Sequence, residues 1–145
     1  MKVSSNFNLK EFIDPYTYGK FGDSSIWFID SRIITLAQFI RERLGKACTI
    51  NNWHLGGQYQ YSGFRPPQCT VGGKLSQHRF GRGIDIKVSG MAQNGAPELR
   101  EDIIKNYSIY RKVGLTTIED GEFAPTWCHI DIRETNLDEL KIVKP

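Results

Sequence analysis

The sequence predicts an α+β domain in which helices pack on one face of a small, mainly antiparallel β-sheet. Two long segments repeat apolar residues at the helical period, and several short ones alternate apolar with polar residues or are rich in β-branched residues. Their order is helix, helix, strand, strand, helix, strand, strand, which is typical of this class. With 145 residues, we expect residues 1–145 to form one domain with a substantial core.

Three segments predict helices. Residues 8–14 (NLKEFID) predict a short helix that Pro15 ends. Residues 30–46 (DSRIITLAQFIRERLGK) place apolar residues close to the helical period, and Gly45 lies where a C-terminal cap is expected. Residues 97–112 (PELREDIIKNYSIYRK) are amphipathic and begin with a proline, which the first turn of a helix accepts. These helices would cover one face of the sheet.

Four segments predict strands. Residues 48–53 (CTINNW) contain a β-branched pair and lead into a glycine turn. Residues 83–88 (GIDIKV), 114–119 (GLTTIE) and 127–133 (WCHIDIR) alternate apolar with polar residues or are β-branched. Alternation of this kind indicates strands with one face in the core and one face available to polar side chains.

Charge and hydropathy exclude several classes of function. The formal net charge is only +3, and the basic residues are interleaved with acidic ones, so we expect no nucleic-acid partner. No apolar run approaches the roughly 20 residues of a membrane helix, and residues 1–12 lack the apolar stretch of a secretory signal. We therefore expect a monomer made in the cytoplasm, without membrane insertion. The three cysteines form no CxxC pair and are expected to be reduced thiols.

Two histidines and an aspartate form a candidate metal site. His129 and Asp131 are two residues apart in a predicted strand and share its polar face, and Asp85 lies on the polar face of another strand. His78 precedes Asp85 by a glycine-punctuated turn that can bring the two together. Two imidazoles and a carboxylate are the ligand set of a catalytic zinc ion with one open position. The alternative is that each is an ordinary structural residue, with the aspartates paired to nearby arginines.

Several short motifs resemble one protein family. The segment 76–85 (SQHRFGRGID) resembles the Ser-x-His-x-x-Gly-x-small-x-Asp signature of zinc D-Ala-D-Ala carboxypeptidases, whose superfamily also includes lysostaphin-type peptidases and the hedgehog signalling domain. The segment 127–133 (WCHIDIR) resembles the strand that carries the last histidine ligand in that family, and 62–65 (SGFR) resembles its SGYR segment. The segment 71–78 (VGGKLSQH) resembles the approach to the first ligand, and 6–12 (NFNLKEF) the opening of a phage-type branch.

The resemblance covers nearly the whole chain and implies roles for individual residues. It implies that His78, Asp85 and His129 bind one Zn²⁺ ion per chain, on a hedgehog/D-Ala-D-Ala-peptidase-like fold. It also implies that Arg65 holds a carboxylate or carbonyl of the substrate, a role that suits the planar, permanently charged guanidinium. The alternative for Arg65 is a surface arginine before a Pro-Pro turn.

Four further residues are candidates for supporting roles. The resemblance implies that Ser76 helps to hold the ligand loop by bonding backbone. Asp131 can orient a ligand imidazole through its second ring nitrogen, or can be a plain surface partner in a salt bridge. His54 and Trp127 can line the substrate cleft, although a loop position for His54 and core packing for Trp127 are the alternatives.

The general base departs from the family pattern. Many relatives carry a glutamate three residues before the last histidine, where this chain has Thr126. A peptidase needs a group that takes a proton from the attacking water and passes it to the leaving amine. We expect Glu119, at the end of a predicted strand, to do this, with Glu122 in the following loop as the alternative. A third possibility is that no base exists and that the site is not hydrolytic.

Together these features predict a zinc metallopeptidase. The predicted substrate is the stem peptide or cross-bridge of bacterial peptidoglycan, cut by D,D-carboxypeptidase or endopeptidase activity. A wall peptidase without a signal peptide fits a phage or prophage lysis protein. The alternative is a non-catalytic zinc domain on the same fold that binds the cell wall or belongs to a virion. The motifs of serine hydrolases and of HExxH proteases are absent from the sequence.

Overall fold

Five strands form one mixed sheet, and four α-helices accompany it. The computed structural model describes residues 1–145. In chain order the helices are α1 (Pro15–Phe21), α2 (Ser31–Leu44), α3 (Ala96–Lys105) and α4 (Tyr107–Lys112). The strands are β1 (Cys48–Thr49), β2 (Gly83–Val88), β3 (Thr117–Glu119), β4 (Cys128–Asp131) and β5 (Lys141–Val143). The α+β class predicted from the sequence is confirmed.

The sheet places the two motif-bearing strands side by side. The strand order is β1-β2-β4-β3-β5. The first three pairings are antiparallel, and β5 joins β3 in parallel at the edge. Between β2 and β4 the register sets Asp85 opposite His129 and Ile84 opposite Ile130. The sequence did not predict β5, and its parallel pairing makes the sheet mixed.

The apolar sides of β2 and β4 pack against the helices. Ile84, Ile86, Cys128 and Ile130 are almost completely buried. They belong to one apolar cluster that also contains residues of α2, α3 and α4, among them Ile33, Leu36, Ile40, Leu99, Ile103 and Tyr110. Burial of apolar surface is the main driving force for folding, so this cluster fixes one face of both strands. The polar residues between these positions consequently point to the opposite face.

Pro15 begins a helix, so the prediction that it ends one is wrong. The segment 8–14 forms only a 3₁₀ turn at Leu9–Glu11. Helix α1 then starts at Pro15, and the carboxylate of Asp14 accepts a hydrogen bond from the backbone N–H of Thr17 at 3.0 Å. Proline fits the first helical turn because the amide hydrogen that it lacks would have no partner there.

The helix predicted for residues 97–112 is broken at Asn106. Helix α3 ends at Lys105 and α4 begins at Tyr107, whereas Asn106 itself has φ −121°. The Asn106 side-chain amide donates to the backbone oxygen of Asp102 at 3.3 Å. Such local side-chain bonds compete with the helical ladder. By contrast, α2 follows the prediction, since Gly45 caps it in the left-handed conformation with φ 60°.

Two predicted strands are shorter than expected. Of residues 48–53, only Cys48–Thr49 pairs with β2, because the chain then leaves the sheet and the Asn51 backbone N–H donates to the Glu11 carbonyl at 3.0 Å. Of residues 114–119, only Thr117–Glu119 forms a strand.

Two further sequence predictions concern the cysteines and the membrane. The three cysteines, Cys48, Cys69 and Cys128, are buried free thiols, as expected. None of the helices combines the length and the hydropathy needed to cross a bilayer.

Candidate metal centre

The polar face of β2 and β4 carries a row of buried charged groups. Asp85 and His129 lie opposite each other in the strand register, and Asp131 and Lys87 share their face. None of these four residues is more than 8% exposed. Burial of so many ionisable groups is unfavourable unless each is paired or binds an ion.

His78 reaches this face from a 3₁₀ turn formed by Gln77–Phe80. Gly81 ends the turn with φ 65°, and a Cβ atom there would lie 1.9 Å from the carbonyl oxygen of Phe28. Only glycine fits this close approach and this conformation. The Gly81 carbonyl in turn accepts from the backbone N–H of Asp30 at 3.1 Å. The turn that presents His78 is therefore fixed against the segment before α2.

Three potential ligand atoms converge on one point. His78 Nε2 lies 3.1 Å from His129 Nδ1 and 3.2 Å from Asp85 Oδ1. The distance between His129 Nδ1 and Asp85 Oδ1 is 3.0 Å. In a tetrahedral zinc site with bonds of about 2.0 Å, neighbouring ligand atoms are about 3.3 Å apart. The three atoms are therefore spaced almost as zinc would require.

Each imidazole has one inner nitrogen, which faces the common point, and one outer nitrogen, which faces away from it. The hydrogen bonds of the outer nitrogens determine whether the inner ones carry a lone pair or a hydrogen. His78 Nδ1 lies 2.8 Å from the carbonyl oxygen of Gly63, and His129 Nε2 lies 3.0 Å from Asp131 Oδ2. Both partners only accept hydrogen bonds, so these outer nitrogens carry the hydrogen. In the neutral rings the inner nitrogens then present lone pairs to each other and to the Asp85 carboxylate. Only a cation, either a metal ion or a proton, can stabilise this arrangement.

The pKa values of the cluster agree with a cation at its centre. Burial alone would raise the pKa of Asp85, but the two histidines hold it well below its usual value. Burial lowers the pKa of His78. For His129, the hydrogen bonds to Asp131 and Asp85 outweigh burial and raise the pKa to about 9. In the metal-free protein His129 therefore holds the proton that a metal ion would replace.

The group His78, Asp85 and His129 can hold a metal ion. Two imidazole nitrogens and one carboxylate oxygen suit Zn²⁺, and other divalent transition metals accept the same donors. The hydrogen bond from His129 to Asp131 is the carboxylate–imidazole contact that orients metal-binding histidines. Asp131 is fully buried, and its two oxygens also accept from the Arg133 side chain. Asp131 thus orients His129, as predicted, and also forms a salt bridge with Arg133. This salt bridge is buried on the Asp131 side and is not the surface pair considered as the alternative.

Arg65 is built into the centre through Asp85. Its Nη2 donates to Asp85 Oδ2 at 2.9 Å, and its Nε donates to the Tyr61 carbonyl at 2.7 Å. One Asp85 oxygen therefore faces the histidines and the other faces Arg65. Arg65 is only 9% exposed. The sequence predicted this residue as a substrate ligand, and the structure adds that it fixes the carboxylate of Asp85.

A cleft of about 540 Å³ opens onto the three ligands. Glu119, Ser76 and Trp127 line it, together with Arg65 and the segment Val143–Pro145. Burial raises the pKa of Glu119. A second cleft of about 340 Å³ contains Tyr59, Tyr61 and Lys87. The two clefts share Arg65, Val71, Asp85 and Trp127, so they form one groove that passes the ligands.

Two of the candidate residues, Glu122 and His54, lie outside both clefts, and a third, Ser76, makes other hydrogen bonds than expected. Glu122 is exposed in the β3–β4 loop and lines neither cleft. His54 lies in the 3₁₀ turn Trp53–Leu55, packs edge-on against Trp53 and also lies outside both clefts. Ser76 does line the first cleft, but only its backbone makes hydrogen bonds, to Gly73 and Arg79. The expected bond from the Ser76 side chain to the backbone is therefore not formed.

Lys87 is a buried residue of this face that was not among the candidates predicted from the sequence. Its Nζ donates to the carbonyls of Ile50 and Asp85, both at 3.1 Å, and to Ser62 Oγ at 2.8 Å. It also lies 4.1 Å from the centre of the Tyr59 ring. Burial lowers its pKa to about 8. The signal was present in GIDIKV, where Lys87 and Asp85 share a face two residues apart.

No protein-family model, curated protein or solved structure matches this chain. The functional assignment therefore depends on the site geometry and on the order of the sequence motifs.

Proposed function

We propose that the protein is a zinc-dependent metallopeptidase that hydrolyses peptide bonds of bacterial peptidoglycan. The observation that carries the proposal is the convergence of His78 Nε2, Asp85 Oδ1 and His129 Nδ1 within 3.2 Å of one another, beside a cleft that contains a carboxylate. The substrate class is proposed from the ordered motifs that resemble D-Ala-D-Ala carboxypeptidases. Both D,D-carboxypeptidase and endopeptidase activity are compatible with an open groove.

The three ligands would leave one coordination position open towards the cleft. When bound, zinc supplies a Lewis acid that polarises a carbonyl and acidifies water. The chain's part is to hold the ligands rigidly. Gly63 and Asp131 fix the two imidazole rings from behind, and Arg65 fixes the second oxygen of Asp85.

Glu119 is the proposed general base. It lines the cleft, and burial raises its pKa, which favours transient protonation. Its carboxylate would take a proton from the attacking water and pass it to the leaving nitrogen of the peptide. Glu122 lies outside the cleft, so we assign the proton transfer to Glu119 alone.

The groove on either side of the ligands would hold the peptide. Arg65 lines both clefts and can direct its remaining guanidinium nitrogen to a carbonyl or carboxylate of the substrate. Trp127 also lines both clefts and would pack against the peptide. In this proposal the protein acts on the cell wall as a phage or prophage product.

The test combines metal content with cleavage of purified muropeptides. We expect about one zinc ion per chain and cleavage by the wild type. Glu119→Gln should retain zinc and lose activity by about 100-fold or more. The matched control is Glu122→Gln, which removes a carboxylate three residues away and should leave activity unchanged. A chain that binds no metal, or activity that survives Glu119→Gln, would contradict the proposal.

A second candidate function is a non-catalytic zinc domain that binds the wall or forms part of a virion. Two observations favour it: Thr126 stands where many relatives carry the base, and Arg65 already uses one arm on Asp85. This alternative predicts zinc and retention on peptidoglycan sacculi without any release of muropeptides.

A further inference from the structure

A third cleft, lined by aromatic side chains, lies beside the metal centre. Its volume is about 740 Å³. Its apolar wall consists of Trp27, Phe28, Phe64 and Phe80, and its cations are Arg65, Lys74 and Arg79. Phe28 and Phe64 are in contact, with ring centres 5.3 Å apart and ring planes tilted by 32°. The cleft is not part of the groove described above, and the proposed peptide chemistry does not use it.

Two of the aromatic residues are far more exposed than packing requires. Trp27 is 84% exposed and Phe80 is 51% exposed. Large exposed apolar side chains that border a concave surface are typical of ligand sites. Trp27 lies near the end of the 3₁₀ turn Gly22–Phe28. No other element covers its side chain there.

The charge of this cleft is positive and only partly compensated. No carboxylate lines it. Arg79 donates to the backbone carbonyls of Pro66, Pro67, Cys69 and Gly73, none of which is an anion. Lys74 is exposed and forms no ion pair. The cleft therefore suits a ligand that carries an acidic group.

The cleft adjoins the metal centre through one shared residue. Arg65 lines both, with one arm on the metal-binding Asp85. Phe80 lies two residues after His78, in the same 3₁₀ turn. The close approach of Gly81 to the Phe28 carbonyl joins the aromatic wall to that turn. A ligand in the aromatic cleft would thus be held at a fixed position relative to the scissile bond.

We infer that this cleft binds an acidic amino sugar, the saccharide part of the peptidoglycan strand that carries the peptide. A pyranose ring offers an apolar C–H face for the aromatic side chains and a polar rim, where a carboxylate can meet Lys74 and Arg79. An acidic peptide would match the charge but would leave the exposed faces of Trp27 and Phe80 without a flat partner. The identity of the macromolecule rests on the proposed function.

The first test is direct binding, which does not depend on catalysis. The disaccharide of N-acetylglucosamine and N-acetylmuramic acid is titrated into the ¹⁵N-labelled zinc-loaded protein, and the amide signals of residues 78–81 are followed. We expect saturable shifts, with about tenfold weaker binding for Trp27→Ala. Lys74→Ala should weaken binding a few-fold, as should replacement of the ligand by uncharged N,N′-diacetylchitobiose.

The matched control is Leu55→Ala. Leu55 is 81% exposed, like Trp27, but lies in a different turn and lines none of the three clefts. Its replacement should leave disaccharide binding unchanged. The absence of saturable binding to the wild type would overturn the inference, as would equal binding by Trp27→Ala. Binding of a sugar-free acidic stem peptide in this cleft, without binding of the disaccharide, would also overturn it.

The second test separates this inference from the proposed function. Cleavage of a disaccharide-bearing stem peptide is compared with cleavage of the same peptide without sugar. In Trp27→Ala, kcat/KM should fall about tenfold for the first substrate only. If the wild type cleaves neither substrate but still binds the disaccharide, the peptidase proposal fails and the saccharide site stands. If Trp27→Ala cleaves both substrates as the wild type does, the saccharide site fails and the peptidase proposal stands.

Discussion

The two faces of strands β2 and β4 are almost equally buried but are stabilised in different ways. On one face Ile84, Ile86, Cys128 and Ile130 pack against the helices and need no ion. On the other face Asp85, His129 and Asp131 are nearly as inaccessible. Asp85 Oδ1 and His129 Nδ1 meet His78 Nε2 there, with their lone pairs directed at a common point. The apolar face gains free energy from its own contacts, whereas the polar face depends on a cation to offset the cost of desolvation.

The largest expected effect is on zinc binding, and two mutations, one on each face, test whether the faces are independent. His78→Ala removes a ligand and should weaken zinc binding by more than about 100-fold, so that chelators no longer change the thermal stability. Ile130→Ala removes a fully buried side chain from the other face and should cost about 2–5 kcal/mol of folding free energy. Zinc stoichiometry, measured by mass spectrometry of the dialysed protein, should remain about one in Ile130→Ala. Loss of zinc from both variants would mean that the two faces are not independent.

Much of this two-faced arrangement could be predicted from the sequence. The alternation in GIDIKV and WCHIDIR correctly predicted which residues point to the core and that Asp85 can face His129. Helix α2 could be predicted because its apolar spacing and Gly45 indicate the same element. These features follow from local periodicity, which a single sequence contains.

The parts that could not be predicted depend on contacts between distant segments. Strand β5 is short and largely exposed, and its place in the sheet comes from its parallel pairing with β3. The hydrogen bond from His78 to Gly63 uses a backbone carbonyl. Every residue has such a carbonyl, so the residue types give no sign of this contact. The exclusion of Glu122 from the cleft likewise depends on the path of the β3–β4 loop.

The second prediction concerns the cation itself and uses pH. The pKa of His129 is raised from 6.5 to about 9 in the folded protein. Its proton therefore stabilises the metal-free protein fully below pH about 6.5, and this contribution is lost as the pH rises through about 9. Zinc must displace the same proton, so zinc affinity should rise about 50-fold between pH 7 and pH 9.

Calorimetry in buffers of different ionisation enthalpy measures this exchange. Near pH 7.5 we expect release of about one proton per zinc ion bound. The melting temperature should fall from pH 6.5 to pH 9 without metal, and it should change less with zinc bound. Zinc affinity that does not vary with pH would show that His129 is already neutral, and the proton would then not be the competing cation.

The third prediction tests the support behind His129. Asp131→Asn keeps the size of the side chain but removes the charge that accepts from His129 Nε2 at 3.0 Å. Zinc affinity should fall about 10- to 100-fold. The control is Asp102→Asn, a carboxylate that joins Arg43, Asn106 and Tyr110 on the helical side of the molecule. The Asp102→Asn variant should lose stability yet retain wild-type zinc affinity. Competition with a fluorescent chelator measures the zinc affinity of both variants.

The smallest expected effect comes from a single methyl group on the polar face. A Cβ atom at Gly83 would lie 3.2 Å from the Cβ of Gln77 and 3.2 Å from Cε1 of His129, so the imidazole ring must move by a few tenths of an ångström. Gly83→Ala should therefore weaken zinc binding about three- to tenfold. Gly73→Ala adds the same methyl group to the wall of the cleft, where no atom lies within 4 Å, and should have no effect. Wild-type zinc affinity in Gly83→Ala would show that His129 can move without loss of binding. The polar face would then tolerate small displacements, as an apolar core does, in spite of its hydrogen bonds.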